Sequence, residues 1–379
     1  MSVLHFVGIS GGKDSAATAC VAKERMQRRA DFRPRFQFVD VGNENPITLE
    51  HVDYLERALE VPIERLSAYD VPGLCDEAAF ARKRESIRKL WPHELRRKRH
   101  STECADRKAA IPALAPGCRH SPERSAALKA WMAACDCPTI VSPPVPQERI
   151  EQAVAALVPS GIAFLDICLL HGRFPSRKAK FCTEDLKLAP LFASRAPALA
   201  AGHTVVDWVG ERAQESKARA AKPVLERRRE ANGGSRVVYR PLHSWSAADV
   251  FAIAKRHGLR PNPLYLKGAS RVGCWPCINS QKEEIGLVAE HTPEIIDRLR
   301  DWERRVSMVS RRDCGGDGTW ATFFPADKVP GDPDDWSRGA IDKVVEWTRT
   351  TRGGRQFDLL QALEREDAPA CFSQYGLCE

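Results

Sequence analysis

A short apolar run, Val3–Ile9, ends in Ser10-Gly11-Gly12-Lys13-Asp14-Ser15 and passes into an alanine-rich stretch with helical character through residue 29. No other feature narrows the folding options as far. A buried strand that hands over to a helix through two glycines brings backbone amides and the positive end of a helix dipole to one point. The glycines let those amides approach phosphate oxygens, Lys13 adds a point charge, and Ser10 and Ser15 add hydroxyl donors. The spacing is not the Gly-x-x-x-x-Gly-Lys-Ser/Thr of a Walker A loop.

The strand–helix rhythm continues. Residues 36–41 form a second apolar run that closes on Asp40-Val41-Gly42-Asn43-Glu44, followed by helical spacing over 47–59 and a short strand over 63–66. Later, 204–209 leads into Gly210-Glu211-Arg212, and 237–242 precedes a helix over 247–257. This alternation predicts an α/β fold, a Rossmann-like parallel sheet with helices on both faces. A long segment interrupts it. Residues 82–100 hold clusters of Arg and Lys, and 111–146, rich in Pro, Ala and Cys, read as a linker ending in Pro143-Pro144-Val145-Pro146. The expected organisation is a first part of the nucleotide-binding core at 1–72, a basic, Cys-rich insertion at 73–150, the second part of the core at 151–290, and a mainly helical C-terminal region at 291–379. Helices are expected there over 283–307 and 357–365.

Composition bounds the function. With 43% hydrophobic and 28% charged residues, the chain has the make-up of a soluble globular protein. No apolar stretch approaches the ~20 residues that span a bilayer, and the first residues lack a basic n-region, so a cytoplasmic protein without a membrane partner is expected. A net charge of +8 suits nucleotides, sulfate or nucleic acid without choosing among them. Thirteen cysteines is many for such a compartment, where disulfides are disfavoured, so metal ligation or thiol chemistry is expected for some. Cys20, Cys75 and Cys371 read as small core residues. Cys274-Trp275-Pro276-Cys277 is a Cys-x-x-Cys at a tight turn, a pair that bites a metal or cluster or acts as a redox dithiol. In the insertion, Cys104, Cys118, Cys135 and Cys137, with His100 and His120 nearby, are a candidate zinc set. Their spacing is irregular, and the other reading is a group of thiols in a loose segment.

Taken in order, these motifs resemble a known family. Ser-Gly-Gly-Lys-Asp-Ser after an N-terminal strand resembles the PP-loop of the ATP pyrophosphatase (adenine nucleotide alpha hydrolase-like) superfamily, and more narrowly that of the phosphoadenosine phosphosulfate (PAPS) reductase family. Asp40-Val41-Gly42-Asn43-Glu44 resembles the family's Asp-Thr-Gly segment, with Val41 in place of Thr. Gly172-Arg173-Phe174-Pro175-Ser176 and Lys180-Phe181-Cys182-Thr183-Glu184-Asp185-Leu186-Lys187 resemble its Arg-x-Cys-Thr…Leu-Lys segment. Gly210-Glu211-Arg212-Ala213-Gln214-Glu215-Ser216-Lys217-Ala218-Arg219 is similar to its Gly-x-Arg-x-x-Glu-Ser-x-x-Arg motif. Pro241-Leu242, Trp245-Ser246, Asp249-Val250 and Asn262-Pro263-Leu264-Tyr265 also fit. The resemblance covers roughly residues 1–70 and 160–290.

It implies an adenine nucleotide, ATP or the sulfonucleotides PAPS or APS, held by Ser10, Gly11, Gly12, Lys13, Asp14, Ser15, Asp40, Gly42, Gly210, Arg212 and Arg219. Lys13, Asp14 and Arg212 are the implied catalytic residues, and Mg²⁺ is expected to bridge the phosphates. In cluster-bearing members a Cys at the Leu-Lys segment joins a later Cys-x-x-Cys around a 4Fe–4S cluster, which makes Cys182, Cys274 and Cys277 the implied ligands. The adenylyl-sulfate reductases carry adjacent cysteines at the first place, where this chain has Phe181-Cys182. Either a fourth cysteine comes from elsewhere, with Cys314, Cys168 or the insertion as candidates, or the cluster keeps three protein ligands and an open iron.

Three functions follow. The first is an ATP pyrophosphatase that adenylylates an acceptor and transfers sulfur to it, with DNA or RNA as acceptor and a cysteine desulfurase or thioredoxin as sulfur donor. The stretch around Cys274 also resembles the DNA phosphorothioation ATP pyrophosphatases, although Leu264, Tyr265 and Leu266 stand where those enzymes have further cysteines. The second is a sulfonucleotide reductase releasing sulfite. Its C-terminal Glu-Cys-Gly-Ile/Leu-His is replaced here by Ser373-Gln374-Tyr375-Gly376-Leu377-Cys378-Glu379. The third is a partner that binds nucleotide and nucleic acid without turnover, using the basic run at 82–100.

Overall fold

The computed structural model describes residues 2–98, 101–111, 121–177, 179–229, 234–269, 271–311, 321–332 and 335–350. Six strands form one sheet: β1 (Val3–Ile9), β2 (Arg35–Asp40), β3 (Ile63–Ser67), β6 (Thr204–Trp208), β7 (Leu225–Arg229) and β8 (Ser235–Tyr239), in the order β3-β2-β1-β6-β8-β7. All neighbours pair in parallel except β7, which runs antiparallel to β8 at the edge. Two further strands, β4 (Leu95–Lys98) and β5 (Thr139–Ser142), form a separate antiparallel pair in the insertion.

Side chains alternate across β1, and each face finds its own cover. Val7 and Ile9 join Phe36, Phe38 and Trp208 beneath helices α1 (Lys13–Arg28), α2 (Pro46–Leu59) and Ala247–Arg256. The buried residues of α1 are all small, Ser15 to Ala22, so the helix lies close to the strand that feeds it. Phe6 faces the other way, against Leu199 and Val205.

On that second side sits a buried ion triad. Asp207 accepts from Arg195 Nε at 2.8 Å and from Arg236 Nε at 2.6 Å. Arg195 also lies over the Phe6 ring, 4.4 Å from its centroid, and donates to the Leu191 carbonyl.

The largest apolar cluster lies beyond the sheet. Between β3 and β6 the chain forms the helices α3 (Glu77–Leu90), α4 (Thr102–Ala109), α5 (Pro122–Ala133), α6 (Gln147–Ala156) and α7 (Ala163–His171). Phe80, Ile87, Ile150, Phe164 and Leu169 from α3, α6 and α7 share one core with Ile285, Trp302, Val306, Phe323 and Val344. Glu303 is buried inside this core, where it accepts from the Phe323 amide (2.8 Å) and the Ile341 amide (3.1 Å), tying the following segment to helix Pro293–Met308.

Burial pushes the Glu303 carboxyl from the ordinary 4.5 up to about 7. The folded state therefore holds more protons than the unfolded chain between those values, and stability falls as pH rises through that window. Denaturant unfolding of wild type and Glu303→Gln should show their stability difference shifting in favour of the variant, by up to about 3 kcal/mol, from pH 4.5 to 8. A pH-independent difference would contradict this.

One expectation is corrected, one is refined and one strand is added. The helix over 283–307 breaks into Lys282–His291 and Pro293–Met308, because Pro293 has no amide to continue a ladder and starts the second helix instead. Much of the stretch at 111–146 is not linker. Ser121 caps α5 by accepting from the Arg124 amide, Pro122 takes the first position of that helix, and Thr139–Ser142 pair with β4. The edge strand β7, Leu-Glu-Arg-Arg-Arg, had no counterpart in the sequence reading. The helix expected over 357–365 and Cys371 lie outside the described residues, whereas Cys20 and Cys75 are buried in the two main cores as expected.

Candidate functional site

The strand order reverses between β1 and β6, which places a crevice at the carboxyl ends of those two strands, the position where open α/β sheets bind ligands. The loop after β1 is held in shape from inside and outside. The Ser10 amide and hydroxyl both donate to Ser15 Oγ (3.0 and 3.1 Å), and Ser15 Oγ donates to the Gly12 carbonyl at 2.9 Å. From the far end of the family-like region, Asn262 Nδ2 donates to the Gly11 carbonyl at 3.1 Å, and the Tyr265 hydroxyl accepts from the Lys13 amide at 3.1 Å. Gly12 is the N-cap of α1 and supplies no side chain to cover the first amides of the helix.

Gly11 has φ +70°, and a Cβ there would meet Thr48 Cγ2 at 2.7 Å. Both the backbone region and the space require glycine. Gly11→Ala should lower stability by about 1–3 kcal/mol and weaken nucleotide binding, read as a smaller thermal shift on adding ATP. An unchanged melting point and an unchanged shift would contradict the assignment.

Across the crevice, β6 runs out into Gly210. A Cβ there would stand 2.8 Å from the Asp14 carbonyl and 2.9 Å from Thr18 Oγ1, so only glycine lets this rim lie against α1. The close approach brings Arg212, itself buried, onto Asp14 through Nε, with Nη1 donating to Gln214. Lys13 Nζ lies 3.5 Å from the same Asp14 carboxylate and 5.3 Å from the Tyr265 ring centroid. Lys13, Asp14 and Arg212 thus form one charged group at the crevice. Arg219 stands further out, paired with Glu215.

The turn after β2 forms the next wall. The Gly42 amide donates to Asp40 Oδ1 at 2.8 Å. Val41 points into the large apolar core, so no hydroxyl takes the place of the family's threonine. Asn45 Nδ2 and Thr48 Oγ1, buried at the start of α2, have no hydrogen-bond partner.

This turn is joined to the Cys-x-x-Cys segment by backbone. Glu44 and Cys274 form an antiparallel bridge, the Trp275 amide donates to the Asn43 carbonyl at 2.7 Å, and Asn43 Nδ2 donates to the Pro276 carbonyl at 3.0 Å. Arg298, from helix Pro293–Met308, donates to Asn43 Oδ1 at 2.9 Å.

Cys182, Cys274 and Cys277 border the same apolar core. Electrostatics show that they share surroundings with Lys187 and Glu44. Negative charge at Cys274, and then at Glu44, Cys277 and Cys182, holds the buried Lys187 ammonium above its ordinary value against the opposing effect of burial. Burial, reinforced by Asp40, pushes Glu44 up to about 7, and burial pushes the Cys274 thiol up to about 12. Burial also raises Cys182, with Cys277 adding to the effect.

Lys187 sits in a five-residue π-helical segment, Glu184–Leu188, a local rewinding that recurs at functional sites. Phe181, at the place of the family's adjacent cysteine, is buried and stacked on His171 at 3.9 Å. Cys168 is buried and raised by burial and by Cys182. Cys314 lies outside the described residues. In the insertion, Cys104, Cys135 and Cys137 come together, while Cys118, His100 and His120 lie outside the described residues.

Sequence reasoning quoted Glu44, Lys187, Asn262 and Tyr265 inside motifs without giving them roles. It missed Asn45, Thr48 and Arg298. Only the N-cap position of Asn45 and the start of an amphipathic helix at Thr48 were signals in the sequence, and neither points to a ligand.

The phosphoadenosine phosphosulfate reductase domain matches residues 5–280. A protein of Escherichia phage 186, described as an uncharacterized 37.8 kDa protein in the gpa 5' region, is 37% identical over 390 residues, covering 100% of this chain and 97% of that protein. Adenosine 5'-phosphosulfate reductases of Deinococcus radiodurans and Allochromatium vinosum are 37% and 36% identical over 68 and 104 residues. Those matches take in 18% and 27% of this chain and only 25% and 36% of the reductases' own length. Among solved structures, the phosphoadenylyl-sulfate reductase of Candida auris in its phosphate complex aligns over 72% of this chain and 82% of its own, at 12% identity and a TM-score of 0.33. The domain match spans well over half of the chain and takes in the β1–α1 loop, the Gly210 rim and the Cys274 turn. On that ground the chain belongs to the phosphoadenosine phosphosulfate reductase domain family.

Proposed function

We propose that this chain is a PP-loop enzyme that binds ATP in the crevice between β1 and β6, adenylylates an acceptor with release of pyrophosphate, and completes sulfur transfer to that acceptor. The observation that carries the reading is the backbone splice between the Asp40–Glu44 turn and the Cys274–Cys277 turn. It sets Cys274 and Cys277 beside the wall of a nucleotide crevice whose loop is intact, and Cys182 borders the same core. The unpartnered Asn45 Nδ2 and Thr48 Oγ1 support a polar ligand at the same wall.

In the first step an acceptor nucleophile attacks the α-phosphorus and the α–β bond breaks, with both electrons leaving on pyrophosphate. Lys13 and the first amides of α1 stabilise the charge on that leaving group. Arg212 holds the Asp14 carboxylate, and with it the start of α1, in place. Mg²⁺ enters with the phosphates. In the second step a sulfur nucleophile displaces AMP from the acceptor.

The donor set of Cys182, Cys274 and Cys277 fits a 4Fe–4S cluster. Three soft thiolates stand beside Lys187, with Arg298 on the adjoining turn, and cations of this kind offset the charge of an anionic cluster. Phe181 excludes a fourth thiolate from its own position. When bound, the group supplies one-electron chemistry and a soft site for sulfur. The buried Lys187 ammonium opposes the upward push of burial on the Cys274 and Cys182 thiols without overcoming it, and Glu44, near neutrality, can hold or release a proton at the same wall.

A second reading, a sulfonucleotide reductase, is favoured by the domain match itself. The same crevice would take PAPS or APS and release sulfite, with Cys378, outside the described residues, as the candidate nucleophile. Protein purified without oxygen separates the two once iron and acid-labile sulfide are measured and ATP and PAPS are offered in turn. Pyrophosphate from ATP in the presence of DNA or RNA, with iron bound, is the expected result. Sulfite from PAPS with thioredoxin would replace it with the reductase reading, and nucleotide binding with neither product would leave a binding partner.

A further inference from the structure

We propose that the insertion carries a structural zinc site, with Cys104, Cys135 and Cys137 binding one zinc ion as thiolates. Each cysteine comes from a different place. Cys104 lies in the first turn of α4, Cys135 follows the C-cap of α5, and Cys137 leads into β5. Their sulfur atoms nevertheless all lie within 4.8 Å of one another, and those of Cys104 and Cys135 are 3.5 Å apart. Tetrahedral zinc with Zn–S bonds of about 2.3 Å sets its thiolates roughly 3.8 Å apart, so the three need only minor adjustment to share one ion. Among the described residues this is the one group of three or more Cys, His, Asp or Glu side chains drawn this closely together. The Cys182, Cys274 and Cys277 set does not meet that spacing, and it borders a different core.

The second observation is what else the module has to hold it. Among the described residues its buried cluster consists of these three cysteines with Trp131 packed against them. α5 buries no residue at all, and Met132, Ile140 and Val141 are exposed. Among the described residues, two short helices and a two-stranded pair thus share a core of three sulfurs and one indole. Small modules of this kind rely on a disulfide or a metal.

The backbone around the ligands is pinned. Ser101 Oγ caps α4 by accepting from the Cys104 amide (3.1 Å), Trp131 Nε1 donates to the Cys104 carbonyl (3.0 Å), and Lys98 Nζ donates to the Cys135 carbonyl. Supports of this type fix ligand direction at metal sites. Lys98 belongs to β4, so the basic strand is tied to the same centre.

The test uses the full chain in two backgrounds, wild type and Cys182→Ser/Cys274→Ser, the second removing the candidate cluster. Metal analysis after loading with zinc and gel filtration should find about one zinc per chain in both. Cys104→Ser/Cys135→Ser should lose it. Because that variant could also fail to fold, the Cys182→Ser/Cys274→Ser chain is stripped by chelator and titrated with Co²⁺. Thiolate-to-cobalt charge-transfer absorption saturating at one equivalent, with tetrahedral visible bands, is expected. Zinc should then displace the cobalt. Limited proteolysis should cut within residues 95–142 at least tenfold faster after chelation and recover with zinc. No zinc bound, no cobalt–thiolate absorption, zinc retained without Cys104 and Cys135, or unchanged proteolysis would each overturn the proposal. None of these readouts depends on nucleotide turnover or on iron, so the site stands or falls apart from the proposed reaction.

Discussion

Lys13→Ala should lower the rate of pyrophosphate release by a factor of about 10²–10³, or about 3–4 kcal/mol, while changing stability little. The size of the effect follows from where the ammonium sits. It is held at the first residue of α1, beside the Asp14–Arg212 pair and against the Tyr265 ring, on the loop whose amides open toward the crevice. A point charge fixed there before the reaction needs no reorganisation when charge develops on the leaving group. Its loss should therefore appear mainly in kcat rather than KM. Lys13→Arg should recover little, since a planar fork cannot take the place of a compact ammonium packed on a tyrosine. A variant with kcat within a factor of two of wild type would remove Lys13 from the reaction.

Asp207→Ala should be the most destabilising single change at the sheet, costing about 3–5 kcal/mol. Arg195 is buried and Arg236 nearly so, and both direct their Nε at this one carboxylate. Removing it leaves two guanidinium groups facing each other near the carboxyl end of β6, with Gln37, the Leu191 carbonyl and the Phe6 face for Arg195 to use. Truncating Arg195 to Met in the Asp207→Ala background should recover part of the loss, because it removes one of the stranded charges. Urea midpoints of the three proteins decide it. A loss below about 1 kcal/mol for Asp207→Ala would mean that water reaches the triad.

These two residues differ in how visible they are in the sequence. Lys13 was legible because its meaning is local: a strand, two glycines and a helix in one unbroken stretch over residues 3–28. The same holds for the parallel sheet, whose strands could be read from short apolar-rich segments alternating with helical ones. Asp207 was not legible, since its partners arrive from positions 195 and 236 and only the fold brings them together. Strand β7 was hidden for a related reason. Its Leu-Glu-Arg-Arg-Arg has no alternation, and it exists because β8 offers it a free edge.

The candidate site shows the same divide. The loop, the Gly210 rim and the Cys-x-x-Cys turn announce themselves by residue type and spacing. The splice that joins the last of these to the Asp40–Glu44 turn runs through main-chain atoms of Asn43, Glu44, Cys274 and Trp275, which no side-chain pattern can encode. The insertion cysteines were recognised as a set, but their closeness in space is set by the lengths of α4 and α5 rather than by a spacing rule.

That splice has a thermodynamic consequence. The turn that walls the nucleotide crevice and the turn that presents Cys274 and Cys277 share a ladder of hydrogen bonds, so neither can shift without working against the other. A ligand that favours one arrangement of the first turn must bias the second, and the bias is mutual. Under the proposed function, whatever factor nucleotide applied to the affinity of these cysteines for a cluster, the cluster would apply to the affinity for nucleotide. Two titrations run in opposite order would then close the same cycle, and the protein would read the state of its thiols through the occupancy of its phosphate loop.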